Sequence, residues 1–114
     1  VLGQPVARLI GGAREAVPAY ATAGMPAFSE SELVAACKSA LDAGFHGAKI
    51  LVGTGRSLAE DAQRIRAVRR AIGDAPLMLD ANCAFTVAEA KHLATLVADC
   101  DIAFFEEPVR GNDI

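Results

Sequence analysis

Four polar side chains with the chemistry to bind a cation or a carboxylate stand within or at the end of short apolar runs in this sequence. Asp80 and Asn82 end the run LMLDAN, Glu106 ends the run IAFFE, and Lys49 lies inside the run AKILVG. An ammonium group is costly to bury without a partner or a task. Carboxylate and amide oxygens are hard ligands that suit Mg²⁺, so these residues predict a magnesium site if the three runs end together.

Strand alternation predicts which of these side chains share a face. Residues two apart in a strand point to the same side, which gives three sets: Met78, Asp80 and Asn82; Ile102, Phe104 and Glu106; Lys49 and Leu51. If all three faces point into one interior, then Lys49, Asp80, Asn82 and Glu106 converge. The alternative is a structural role, in which Asp80 and Glu107 cap the following loops and Glu106 pairs with a lysine or an arginine.

Three helices that separate these runs begin in the same way. The segments SESE, SLAE and TVAE, at positions 29–32, 57–60 and 86–89, each match the capping box. After each box, apolar residues recur at helical spacing. In the second helix this apolar stripe lies opposite three arginines, Arg64, Arg66 and Arg70. Gly44 and Gly73 are expected to end the first two helices.

The apolar runs between these helices are typical of strands. VPAYAT, AKILVG, APLMLDAN and IAFFEEP are too short to be helices and are mostly apolar on both faces, as in a parallel sheet covered by helices. Alternation of strand and helix predicts an α/β fold with right-handed crossovers. Two architectures use such units, namely the open doubly wound sheet and the (β/α)₈ barrel.

The loops and strand ends favour the barrel. GTGRSL, after the second strand, lacks the third glycine of a dinucleotide-binding loop, whereas polar residues at strand ends are typical of barrels, whose chemistry lies at that edge. Four strands amount to half of a barrel. We therefore expect residues 1–114 to form the N-terminal half of a barrel domain, without its second half or a capping domain. Residues 1–12 read as the tail of a helix closed by Gly11 and Gly12.

Composition bounds the class of protein. The 114 residues are 53% apolar and 22% charged, which is typical of a globular chain. The net charge of −3 predicts no binding to nucleic acid or to an anionic membrane surface. No apolar run approaches the roughly 18 residues of a membrane helix, and no signal-peptide pattern opens the chain. Cys37, Cys83 and Cys100 match no zinc or redox motif, which favours free thiols in a cytoplasmic protein.

The same motifs carry a resemblance to a known family. LMLDAN, FFEEPV and GFHGAKILVG, preceded by GQPVARLIGG and VPAYAT, are similar to the barrel domain of the mandelate racemase and muconate-lactonising branch of the enolase superfamily. The resemblance covers nearly the whole chain, and its most specific parts are D-x-N in the third strand and E-E-P in the fourth. E-E-P followed by valine is closest to the mandelate racemase and acid-sugar dehydratase side of the branch.

The resemblance implies roles for the strand-end residues. Asp80 and Glu106 correspond to Mg²⁺ ligands, a third ligand follows a fifth strand beyond Ile114, and Asn82 hydrogen-bonds at the substrate or the metal. The implied chemistry is removal of a proton α to a carboxylate, which gives an enediolate that Mg²⁺ stabilises. The implied partner is a small carboxylate such as an acid sugar or hydroxy acid, and the full-length protein is expected to form a homo-oligomer.

One position departs from the family pattern. The second strand usually carries K-x-K, in which the first lysine contacts the substrate carboxylate and the second is a base; here Lys49 fills the first position and Leu51 the second. Leucine cannot accept a proton. Three outcomes follow: a one-base lyase, for which an acid-sugar dehydratase fits best; a variant racemase or epimerase; or an inert metal-binding or ligand-binding barrel. Lys49 then pairs with a substrate carboxylate or with Asp80, and the isolated chain is expected to be inactive.

Overall fold

A computed structural model describes residues 2–12 and 14–112. Four parallel strands form one sheet in the order β1-β2-β3-β4. In chain order the elements are helix α1 (Val6–Leu9), strand β1 (Tyr20–Thr22), helix α2 (Glu30–Asp42), strand β2 (Gly47–Leu51), helix α3 (Leu58–Ile72), strand β3 (Leu77–Asp80), helix α4 (Val87–Leu96), a 3₁₀ turn (Ala98–Cys100) and strand β4 (Ile102–Glu106). The predicted α/β repeat is confirmed.

All three predicted capping boxes form. Ser29, Ser57 and Thr86 cap α2, α3 and α4, and each hydroxyl accepts the N–H of the glutamate three residues on, at 3.3 Å. Each of these glutamates accepts the N–H of its cap residue at 2.8 Å. The signal is local in sequence, and the helices therefore begin where the sequence predicts.

The hydrophobic core lies between the helices and one face of the sheet. Side chains from β2 and β3 on this face pack against the apolar stripes of α2, α3 and α4, and the most deeply buried are Leu33, Cys37, Ile50, Ile65, Leu77, Leu79 and Leu93. Cys37 is fully buried, and burial raises the pKa of its thiol to about 11. It acts as a small hydrophobic residue, as its position on the α2 stripe predicts.

Strand β4 differs from simple alternation because it contains a bulge. Leu77 pairs with Ile102, but Met78 pairs with Phe104, so Ala103 is an extra residue opposite β3. Ile102 therefore packs on the helix side, next to the core, and not on the face of Glu106 as predicted. The bulge leaves Phe104 and Glu106 on the face of Met78 and Asp80, because these pairs are in register.

Two other expectations are wrong. The first described residues contain one exposed turn of helix, Val6–Leu9, and not the tail of a longer helix. Arg64, which helical periodicity assigns to the solvent face of α3, is only 8% exposed.

Among the residues with described positions, none of the helices combines the length and apolarity that a membrane crossing requires.

Candidate metal and substrate site

Three predicted residues meet at the carboxyl edge of the sheet. Lys49 Nζ in β2 lies 2.9 Å from Asp80 Oδ2 in β3 and 2.5 Å from Glu106 Oε2 in β4. Lys49 and Asp80 are only 9% and 8% exposed, whereas the Glu106 side chain is half-buried. Because one ammonium contacts both carboxylates, the two acids point at a single position in space, as the alternation argument requires.

The charges in this cluster stabilise one another. Hydrogen bonds to Glu106 and then to Asp80 raise the pKa of Lys49 above its usual range, so its side chain is cationic at neutral pH. Burial raises the pKa of Asp80, but hydrogen bonds from Lys49 and from the Asn82 backbone N–H outweigh burial, and the net effect is a lowered pKa. The site therefore contains an ammonium beside ionised Asp80, and Lys49 is suited to bind anions and not to accept protons.

Asn82 lies close to this cluster in the chain but not on the predicted face. Strand β3 ends at Asp80, and Asn82 is exposed with a φ of 46°, so strand alternation does not extend to it. Its backbone N–H donates to Asp80 Oδ1 at 3.1 Å. Asparagine tolerates this left-handed conformation better than most residues. The contact shown is thus from the Asn82 backbone, and a role for its amide in substrate binding stays a prediction.

The donor set fits Mg²⁺ in part. Mg²⁺ is commonly bound by one or two carboxylates together with water and substrate oxygens, and Asp80 and Glu106 supply two carboxylates that already converge on a cation, the Lys49 ammonium. Within residues 2–12 and 14–112 there is no group of three histidine, cysteine or acidic side chains placed to hold a metal. The described residues therefore offer two carboxylates of the kind that Mg²⁺ binds, and their role as its ligands stays a prediction.

Aromatic and apolar side chains line the same face beside the cluster. The rings of Tyr20 in β1 and Phe104 in β4 meet edge to face with centroids 5.8 Å apart, although two strands lie between them. The sheet is therefore strongly curved toward this face, as in a barrel wall. Lys49 Nζ lies 5.9 Å from the centre of the Tyr20 ring. Leu51 pairs in register with Asp80 and places a hydrocarbon side chain where the family pattern has a base.

Three charged residues next to the site were missed from sequence. Asp61, at the start of α3, is 1% exposed and accepts the Gly53 N–H at 2.8 Å. Arg56 and Arg64 donate to backbone carbonyls of the β1–α2 loop. A signal existed for Asp61, because positions 61, 65, 68 and 72 share the buried stripe of α3, and a carboxylate there needs a partner.

Comparisons with known proteins show the family to which this chain is related. Residues 32–114 match the family model described as "Enolase C-terminal domain-like". The chain is 41% identical over 115 residues to D-galactarolactone cycloisomerase of Agrobacterium fabrum, covering 94% of this chain and 29% of that protein. It is 32% identical over 112 residues to arabinonate dehydratase of Saccharolobus solfataricus, with the same two coverages. The chain therefore spans less than a third of these relatives.

Solved structures extend the same comparison. The fold matches 3,6-anhydro-D-galactonate cycloisomerase from Zobellia galactanivorans with a TM-score of 0.84 and 38% identity, covering 96% of this chain and 30% of that one. It matches L-talarate dehydratase from Polaromonas sp. JS666, complexed with Mg and L-glucarate, with a TM-score of 0.85 and 31% identity, covering 95% and 30%. These are enolase-superfamily barrel enzymes, so the half-barrel prediction and the resemblance are confirmed.

Proposed function

The chain belongs to the enolase C-terminal domain-like family, and on that premise we propose that it carries part of the active site of a Mg²⁺-dependent enzyme that removes a proton α to a carboxylate. The observation that supports this proposal best is the meeting of Lys49, Asp80 and Glu106 at the carboxyl ends of three adjacent strands. This is the edge at which barrel enzymes of this kind bind their substrates.

In this proposal Asp80 and Glu106 hold the metal ion. A bound Mg²⁺ supplies a Lewis acid that makes the α-proton of a coordinated carboxylate more acidic. Lys49, kept cationic by its two carboxylate neighbours, binds and orients the substrate carboxylate. The side chain of Asn82 forms a further hydrogen bond at the substrate or the metal. The substrate is a small carboxylate, and an acid sugar fits the relatives best.

Leu51 narrows the reaction class to one-base chemistry. A racemase that works on both faces of a carbon needs a base on each face, and Leu51 supplies none from β2. We therefore favour a lyase, in which the base takes the α-proton and then returns it to the departing β-hydroxyl, which leaves as water. The base is proposed to lie outside these residues. The resulting enol then rearranges to a 2-oxo acid, so the net reaction is dehydration of an aldonate or aldarate.

Ring opening is a second candidate function with specific support. Two of the relatives, 41% and 38% identical, are cycloisomerases. The first steps are the same, but the oxygen expelled from the β-carbon belongs to a ring and stays within the molecule. Epimerisation of an amino acid derivative is the weaker alternative, because it needs a second base and Leu51 supplies none at position 51. A barrel that binds a metal or a ligand without catalysis is the alternative in which the protein is not an enzyme.

Isotope exchange tests the proposal. The full-length gene product that contains this chain is incubated in D₂O with a panel of aldonates, aldarates and their lactones, with and without Mg²⁺, and followed by ¹H NMR. We expect Mg²⁺-dependent loss of an α-proton signal together with a 2-oxo acid or a ring-opened product. The Asp80→Asn and Glu106→Gln variants should lose this activity, and so should the 114-residue chain alone. Absence of Mg²⁺-dependent change with every compound would reject the enzyme proposal.

A further inference from the structure

A charged cluster behind the site ties two of its loops together. The β1–α2 loop, residues 23–28, and the β2–α3 loop, residues 53–56, both leave the carboxyl edge of the sheet beside Lys49 and Leu51. We call these two segments the β2-side wall. Each segment is held by side chains of α3 or of the loop that leads into it, and none of those side chains belongs to the proposed metal site.

Asp61 fixes the β2–α3 loop at the point where β2 ends. The last ladder bond of this strand is donated by Val52 to the Asp80 carbonyl, at 3.0 Å. The next N–H, of Gly53, turns away from the sheet and donates to Asp61 Oδ2 at 2.8 Å. Asp61 thus accepts a backbone N–H, that of Gly53, which has no partner in the sheet. The carboxylate is 1% exposed, so water does not replace it readily.

Gly53 is confined on its other side as well. Its φ is 68°, and a Cβ at this position would meet Ala84 Cβ at 2.8 Å and the Phe85 ring at 3.0 Å. The turn therefore packs tightly against the β3–α4 loop. Because Gly53 is caught between that loop and Asp61, a change at Asp61 would act on the position of the whole turn.

Two arginines extend the cluster to the β1–α2 loop. Arg64 donates to the Phe28 carbonyl at 2.8 Å, and Arg56 donates to the Pro26 carbonyl at 2.8 Å and to Thr54 Oγ1 at 2.8 Å. Their positive charges also act on Asp61, opposing the effect of its burial. The buried carboxylate of Asp61 therefore lies within electrostatic range of both guanidinium groups that join the loops.

This wall connects directly to the site. The N–H of Ala23, the first residue of the β1–α2 loop, donates to the Lys49 carbonyl at 2.8 Å. A displacement of that loop would shift the backbone of Lys49 and the space above Leu51. We propose that Asp61 is a positioning residue, which with Arg56 and Arg64 fixes the β2-side wall and thereby the fit of the substrate beside Lys49. The role in substrate fit rests on the proposed function, whereas the role in loop order does not.

Hydrogen exchange measured by mass spectrometry tests loop order without any substrate. In the full-length gene product, Asp61→Ala removes the acceptor, Asp61→Asn keeps an acceptor without the charge, and Asp42→Ala removes an exposed acid from α2 as a matched control. We expect Asp61→Ala to speed exchange about tenfold or more in peptides covering 23–28 and 53–56, with β3 unchanged and Asp61→Asn intermediate. Wild-type protection in both loops, or an equal rise in β3, would overturn the proposal.

Kinetics tests the consequence for the substrate. With the acid sugar that the wild-type protein converts best, Asp61→Ala should raise KM about tenfold, lower kcat by a smaller factor and leave the Mg²⁺ dissociation constant unchanged. An unchanged KM despite loosened loops would overturn the role in substrate fit. If the wild-type protein converts no acid sugar, the proposed function fails, and the exchange experiment still decides whether Asp61 orders the wall.

Discussion

Lys49 reaches Glu106 across an intervening strand. The ammonium in β2 and the carboxylate in β4 are 2.5 Å apart, although β3 runs between them. Neighbouring strands are spaced about 4.8 Å apart, so both side chains must lean inward over the concave face of the sheet. Asp80 of β3 meets the same ammonium at 2.9 Å. The carboxylates of Asp80 and Glu106 thus share one position for a cation, and the Lys49 ammonium occupies it.

Lys49 is therefore expected to compete with Mg²⁺. Replacing it with methionine removes a positive charge next to the proposed metal and frees two carboxylate oxygens. We expect the Lys49→Met variant of the full-length protein to bind Mg²⁺ at least about tenfold more tightly in the absence of substrate. Its affinity for carboxylate substrates should fall, because the anion loses its partner. Isothermal titration calorimetry measures both.

A neighbouring substitution controls for this effect. Leu51 lies on the same strand and face as Lys49, and Leu51→Met changes no charge. The Mg²⁺ affinity of this variant should therefore equal that of the wild-type protein. Loss of Mg²⁺ binding in Lys49→Met would contradict the competition and indicate that the lysine instead holds the two acids in place. Circular dichroism with and without Mg²⁺ shows whether that variant has folded.

Much of the fold was predictable because its signals are local. Ser57 and Glu60 form a capping box within four residues, and the helix begins there. The convergence of Lys49 and Asp80 followed from alternation within two short strands and from the parallel repeat. In each case the signal lies in a short segment or in the regular repeat of strand and helix, and no tertiary contact overrides it.

The missed features depend on contacts between distant residues. The bulge at Ala103 appears only when β4 is paired with β3, and it moves Ile102 to the other face. Arg64 reads as a surface residue from helical periodicity, yet it is buried because the Phe28 carbonyl, 36 positions away, accepts its hydrogen bond. Neither the bulge nor the buried guanidinium is specified by neighbouring residues.

Position 51 offers a direct test of one-base chemistry. Leu51→Lys restores the second lysine on the face of Lys49, where repulsion between the two ammonium groups should lower the pKa of the new side chain. If the full-length enzyme is a one-base lyase, we expect this variant to gain α-proton exchange with the epimer that the wild-type protein leaves unchanged. ¹H NMR in D₂O with each epimer measures this gain. Leu51→Met is the control, and exchange of both epimers by the wild-type protein would contradict the interpretation.

Gly47, at the start of β2, is expected to tolerate no side chain. A Cβ there would lie 2.5 Å from the Pro76 carbonyl oxygen and 2.9 Å from Pro76 Cβ, and backbone atoms cannot move aside cheaply. We expect Gly47→Ala to destabilise the protein by about 2–3 kcal/mol. Gly111→Ala, which meets no atom within 4 Å, should change stability by less than about 0.5 kcal/mol. Denaturant midpoints of the two variants give the comparison, and equal midpoints would contradict the steric argument.

Arg69 is expected to stabilise the edge of the sheet opposite the site. Its guanidinium donates to the carbonyls of Gly73 and Ala75 after α3 and to those of Cys100 and Asp101 before β4. Removal leaves several carbonyls short of a donor. We therefore expect Arg69→Met to cost about 2–4 kcal/mol of unfolding free energy, with little change in Mg²⁺ affinity.

The next residue of the same helix provides the control for Arg69. Arg70 is exposed, so Arg70→Met should lie within about 0.5 kcal/mol of the wild-type protein. Urea unfolding separates the two variants, and Mg²⁺ titration tests whether the site is unaffected. An Arg69→Met variant as stable as Arg70→Met would show that water replaces these hydrogen bonds without cost.

The capping boxes predict how stability depends on pH. Hydrogen bonds from the hydroxyl and N–H of Ser57 lower the pKa of Glu60, and the boxes of α2 and α4 lower the pKa of Glu32 and Glu89 in the same way. A carboxyl whose pKa is lower in the folded state contributes stability above its unfolded pKa of about 4.3, and that contribution is lost as pH falls through the folded value.

A variant that combines Glu32→Gln, Glu60→Gln and Glu89→Gln should therefore be less stable than the wild-type protein at neutral pH. The difference in stability should shrink as the pH falls below 4. Denaturant midpoints from pH 7 to pH 3, with Glu15→Gln as control, measure it, and a difference independent of pH would contradict the role of these charges.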